Sequence, residues 1–143
     1  MSRFQILVLN GPNLNLLGAR EPDVYGNSTL DDLVSDLRKR FPDVEISDVQ
    51  SNDEGALIDA IQDFGVRFNG IVFNPGGYAH TSVAIRDAVS AISAPVIEVH
   101  ISNIHAREEF RNISIVGGAC KAVISGLGVS GYAVAIAHLK SLS

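Results

Sequence analysis

The chain has 143 residues, of which 46% are hydrophobic and 19% charged, and it carries a formal charge of −5. These values suit one globular domain over 1–143, with a core large enough to need neither disulfide nor metal. The acidic balance argues against a general nucleic-acid binder, but it allows an anionic small ligand, because local arginines can oppose the net sign.

The first apolar run, residues 4–9, is rich in β-formers and stops at the turn cluster Asn10-Gly-Pro-Asn13. A polar loop continues to about Ser28. Leu30, Leu33, Val34, Leu37 and Phe41 then recur at helical spacing, with Thr29 as the N-cap. Residues 44–49 form a second strand, and Ser51-Asn-Asp-Glu54 reads as a capping box opening a helix with Leu57, Ile58 and Ile61 on one face. A third strand over 70–73 ends at Asn74-Pro-Gly-Gly77, and a helix with Val83, Ile85, Ala88, Val89 and Ile92 follows it. A fourth strand over 95–99 leads to a short helical stretch around 106–110. The last pair is a strand over 122–124 and a helix over 131–139.

Five β-α units with strands apolar on both sides require a parallel sheet covered on both faces. Right-handed crossovers leave few topologies. The expected fold is α/β and flavodoxin-like: a doubly wound five-stranded sheet in the order 2-1-3-4-5.

The lone cysteine, Cys120, permits no internal disulfide and reads as a buried small residue. Met1 to Gln5 lacks the basic region and long apolar run of an export signal, so the expected location is the cytoplasm. Residues 122–139 hold no Asp, Glu, Lys or Arg, yet their glycines and serines fit a strand, turn and helix better than a membrane span. Without export, the sequons at Asn27 and Asn112 are chance matches.

Ligands of such sheets bind beyond the carboxyl ends of the strands. Asn10 and Asn13 follow the first strand, Asn74 and His80 the third, and Glu98, His100 and Ser102 cluster at the end of the fourth. Glu98 and His100 are two apart on a strand, so they share a face. A carboxylate there orients the imidazole and favours its charged form, which suits a general acid. The long first loop carries Arg20, Glu21 and Tyr25, and a tyrosine becomes a useful base only when a cation stabilises its phenolate. Arg107 and Arg111 face one way if their stretch is helical.

Several other chemistries fit poorly. Gly126-Leu-Gly-Val-Ser-Gly131 has dinucleotide-loop spacing, but no acidic residue follows it to hold a ribose, so tight helix-sheet packing explains it better. A phosphoacceptor domain needs acidic residues where Asn10 and Asn74 stand, and a flavin site needs a Ser/Thr-rich loop after the first strand. Glu98, His100 and His105 lack an established metal-ligand spacing.

The residues resemble a known family. Asn10-Gly-Pro-Asn-Leu-Asn-Leu-Leu-Gly18, Arg20-Glu-Pro with Tyr25-Gly, Asn74-Pro-Gly-Gly-Tyr with His80-Thr-Ser, and Glu98-Val-His-Ile-Ser-Asn103 are similar to the type II 3-dehydroquinate dehydratases. Arg107-Glu-Glu-Phe-Arg111 and Gly126-Leu-Gly with Gly131-Tyr extend the likeness from end to end.

The resemblance implies a hydro-lyase of the shikimate pathway of aromatic amino acid biosynthesis. It would make 3-dehydroshikimate through an enolate by anti elimination, without a cofactor. By the same resemblance Tyr25 is the base, kept ionised by Arg20 with Arg107 nearby. Asn13 holds the enolate, and His100, oriented by Glu98, protonates the leaving hydroxyl. Ile101 and Ser102 hold the substrate carboxylate, and Asn74, His80 and Arg111 complete the binding. Asp87 reaches a neighbouring subunit's site in a homododecamer of four trimers.

The unrelated imine-forming route would need a lysine, and Lys39, Lys121 and Lys140 all fall away from the expected site. The chain departs from the family pattern at 113–120, where a Ser-Pro step is usual. The alternatives are a non-catalytic flavodoxin-like binding or signalling module, and a related enzyme acting on another hydroxy-acid.

Overall fold

The structure, a computed structural model, describes residues 3–19 and 28–143. Five parallel strands, β1 (Phe4–Asn10), β2 (Val44–Gln50), β3 (Gly70–Asn74), β4 (Val96–His100) and β5 (Ala122–Ser125), form one sheet in the order β2-β1-β3-β4-β5. The expected flavodoxin-like topology is therefore observed. The helices are α1 (Leu30–Arg40), α2 (Glu54–Gly65), α3 (Val83–Ala91) and α4 (Ser130–Ser141).

Strand periodicity divides the core into two layers. Ile6 and Val8 of β1 pack with Val72, Ile97 and Val99 against Leu33 and Leu37 of α1 and Tyr132, Ile136 and Leu139 of α4. Leu7 and Leu9 face the other way, with Ile71, Phe73 and Val96, against Leu57 and Ile61 of α2 and Ile85 and Val89 of α3. Glu98 and His100 alternate with Ile97 and Val99, so they lie on the α2/α3 face of β4.

Local chemistry sets the helix starts. Thr29 caps α1 as expected, with a reciprocal box: its hydroxyl accepts from Asp32 N at 3.1 Å, and Asp32 Oδ2 accepts from Thr29 N at 3.2 Å. The box expected at Ser51 and Glu54 is displaced. Ser51 N still donates to Asn10 O of the sheet, so the chain is extended for two more residues and Asp53 becomes the cap, accepting from Ala56 N. Glu54 is then free to accept from the buried Ser82 hydroxyl at 2.5 Å, which ties the start of α2 to that of α3.

The single helical stretch expected around 106–110 is two 3-10 turns, Ile104–Ala106 and Glu109–Arg111. Asn103 caps the first by accepting from His105 N, and the extended backbone of Arg107 and Glu108 separates them. Gly131, in the dinucleotide-like motif, lies against the sheet: a Cβ there would sit 3.1 Å from Val99 Cγ1 and 3.3 Å from Ile124 Cγ2. Close helix-sheet approach thus accounts for that glycine.

Candidate active site

The carboxyl ends of β1, β3 and β4 converge. Asn10 and Asn74 are register partners at the ends of β1 and β3, and both are buried. Tyr132 of α4 reaches between them. Its hydroxyl donates to Asn10 Oδ1 at 2.6 Å and accepts from Asn74 Nδ2 at 3.0 Å, while Asn74 Oδ1 accepts from Gly76 N. Burial pushes the Tyr132 phenol above its ordinary range, so it stays protonated and acts as a structural donor. Just beyond β1, a Cβ on Gly11 would lie 2.5 Å from Pro75 O, so only glycine lets the two loops cross there.

Asn13 follows in the left-handed region at φ 71°, the only described residue other than glycine with positive φ. Its N–H donates to Asn52 Oδ1, an oxygen that also accepts from Gln50 Nε2. The end of β2 thus holds the Asn13 turn in place.

At β4, Glu98 has no exposure and His100 is 6% exposed. His100 Nε2 lies 2.7 Å from Glu98 Oε2. A carboxylate accepts, so Nε2 carries a proton and Nδ1 is not engaged by Glu98. The His80 ring stacks on the His100 ring with centroids 6.0 Å apart. His80 Nδ1 donates to Ile113 O at 2.8 Å, since a carbonyl can only accept, which leaves Nε2 of His80 as an acceptor when the ring is neutral. Each ring thus commits one nitrogen to a protein oxygen, Nε2 of His100 to Glu98 and Nδ1 of His80 to Ile113, and a neutral ring in that tautomer accepts at its other nitrogen.

One pocket is lined by Asn13, Asn74, His80, His100, Ile101, Ser102, Arg107 and Arg111. Arg107 and Arg111 do not share a helix, yet both reach this pocket from the turns after β4. Arg107 Nη1 lies 3.5 Å from Ser102 Oγ, and Arg111 pairs with Glu108 and stacks over Phe110. The two cations make the pocket suitable for an anion despite the acidic chain.

Eight of the site residues expected from sequence thus line one opening, with Glu98 behind His100. Asp87 does not join them; it is exposed on α3. Arg20 and Tyr25 lie outside the described residues. Cys120 is half-buried rather than buried, and its thiol is pushed up to about 12 by burial and by the Glu98 charge. Among the described residues, no group of three or more His, Cys, Asp or Glu could hold a metal ion. Nor is any helix among them long and apolar enough to cross a membrane.

Sequence reasoning missed Tyr132, Asn52 and Ser114 as supports of the site. Tyr132 had a signal, since it follows directly on the Gly-rich motif, in the first turn of α4. Ser114 had none, because its partner Glu98 is 16 residues away.

Comparison with known proteins identifies the family. The family model for class II dehydroquinases matches residues 4–140. A 3-dehydroquinate dehydratase from Exiguobacterium is 57% identical over 134 residues, covering 93% of this chain and 92% of that one. A catabolic 3-dehydroquinase from Pyricularia oryzae is 54% identical, covering 92% of this chain and 86% of that one. The crystal structure of type II dehydroquinase from Butyrivibrio crossotus superposes with a TM-score of 0.94 at 47% identity, covering 98% of this chain and 99% of that one. The chain belongs to the class II dehydroquinase family.

Proposed function

We propose that the protein dehydrates 3-dehydroquinate to 3-dehydroshikimate in the shikimate pathway, by anti elimination through an enolate. Tyr25, its phenolate stabilised by Arg20 with Arg107 nearby, removes the proton from the carbon next to the ketone. The electron pair moves to the ketone oxygen, and Asn13 helps to hold the enolate. As the enolate collapses, the carbon–oxygen bond to the leaving hydroxyl breaks, and that oxygen takes the proton on His100 Nδ1 and departs as water. The chain supplies both acid and base, and the reading invokes no cofactor.

The observation that carries this reading is the buried Glu98–His100 pair, whose 2.7 Å bond engages Nε2 of a histidine that lines a pocket containing two arginines. The backbone of Ile101 and Ser102 with the Ser102 hydroxyl holds the substrate carboxylate, assisted by Arg111. His80 and Asn74 bind the ring hydroxyls. Asp87 serves a neighbouring pocket in a cytoplasmic homododecamer of four trimers, and a solution mass measurement tests that assembly.

The activity is tested by adding 3-dehydroquinate without metal or cofactor and following ultraviolet absorbance. The product's double bond is conjugated with its ketone, so absorbance rises if the reading is right. No rise with folded, assembled protein refutes it.

A further inference from the structure

The catalytic histidine has a support beyond Glu98. Ser114 Oγ lies 2.7 Å from Glu98 Oε2, the same oxygen that binds His100 Nε2. It also lies 2.9 Å from Gly117 N, which can only donate, and 3.5 Å from Ala79 O. A serine hydroxyl has one proton. Because Ser114 accepts from Gly117, that proton goes to the nearer, charged acceptor, which is Glu98 Oε2. The other carboxylate oxygen, Oε1, is buried and has no hydrogen-bond partner among the described residues. The whole orientation of Glu98 thus depends on Oε2, which takes one donor from His100 and one from Ser114.

The segment carrying Ser114 is fastened on both sides. Ile113 O accepts from His80 Nδ1, Ile115 N donates to Ala79 O at 2.7 Å, and Arg86 Nη1 of α3 donates to Ile115 O at 2.8 Å. A Cβ on Gly118 would collide with that Arg86 nitrogen, so the segment closes around the arginine.

We infer that Ser114 is a positioning residue for the proposed dehydration, holding Glu98 as a double acceptor so that His100 keeps its proton on Nε2 and presents Nδ1 to substrate. The inference rests on the reading of His100 as general acid. On this reading the atypical 113–120 segment aims a buried carboxylate from outside the strand that carries it. The hydroxyl acts through Glu98 and touches no reacting atom.

The test combines kinetics on the full assembled protein with neutron diffraction. Ser114→Ala is expected to lower kcat roughly 3- to 10-fold, the worth of one hydrogen bond, with KM within about twofold of wild type. In a Glu98→Ala background, which removes the acceptor altogether, the same substitution is expected to change kcat by less than about 1.5-fold, because its target is already gone. An unchanged kcat, or an equal loss in both backgrounds, overturns the inference. Should Ser114→Ala not fold, neutron diffraction on the wild-type protein decides: deuterons on Ser114 Oγ toward Glu98 and on His100 Nε2 support it. A deuteron on the Glu98 carboxyl, or a Ser114 hydroxyl aimed at Ala79 O, overturns it. The neutron result needs no turnover, so it is separate from failure of the proposed reaction, which wild-type protein with 3-dehydroquinate reveals.

Discussion

Glu98→Gln isolates the charge behind His100 with almost no change in shape. In the wild-type protein His100 Nε2 donates to a carboxylate oxygen 2.7 Å away, and neither side chain is more than slightly exposed. A hydrogen bond to a charged partner contributes about 1.5–3 kcal/mol, against about 0.5–1.5 kcal/mol for a neutral one. Replacing the carboxylate by an amide therefore costs the protonated imidazole about 1–2 kcal/mol, or roughly 5- to 30-fold in kcat. A second cost falls on the resting fold. The amide NH2 takes the place of Oε1, which has no hydrogen-bond partner among the described residues, and an unmet buried donor costs about 1–3 kcal/mol. Initial rates with 3-dehydroquinate followed by product absorbance measure the first effect, and urea unfolding at fixed protein concentration measures the second. KM is expected to stay within about twofold, since Glu98 lies behind the histidine and not against substrate. A variant with wild-type kcat, or one whose entire defect is in KM, refutes the orienting role.

Tyr25→Phe is expected to remove turnover while leaving product or inhibitor binding largely intact by calorimetry; near-normal turnover refutes the base assignment. Tyr132→Phe deprives Asn10 of a donor and Asn74 of an acceptor, both buried. It is expected to lose about 2–4 kcal/mol of stability in urea unfolding at fixed concentration, with an unchanged m-value. A loss below about 0.5 kcal/mol contradicts that network. With its thiol pushed up to about 12, Cys120 is almost wholly un-ionised at pH 8. Alkylation of the native protein by iodoacetamide is expected to be at least about a hundredfold slower than of the urea-unfolded chain, by mass spectrometry; equal rates contradict it.

The sheet was legible because parallel strands buried on both faces must be continuously apolar, as in Ile6-Leu-Val-Leu9 and Ile71-Val-Phe73. Their polar ends, Asn10, Asn74 and His100, marked the edge where the site lies. What sequence reading missed came from longer-range contacts. The start of α2 moved to Glu54 because Ser51 remains tied to β1. The stretch after β4 split because Arg107 and Glu108 are extended, yet both arginines still reach the pocket. Ser114 and Tyr132 act on Glu98 and on the two asparagines across the fold. Local spacing cannot encode such a pairing.

The division of labour between base and acid is tested most directly with His100→Ala and 3-dehydroquinate in deuterium oxide, followed by NMR and ultraviolet absorbance. If Tyr25 is the base proposed, it still removes the proton next to the ketone in this variant, so deuterium is expected to enter that carbon while dehydrated product stays nearly absent. Product forming at the wild-type rate would contradict the account.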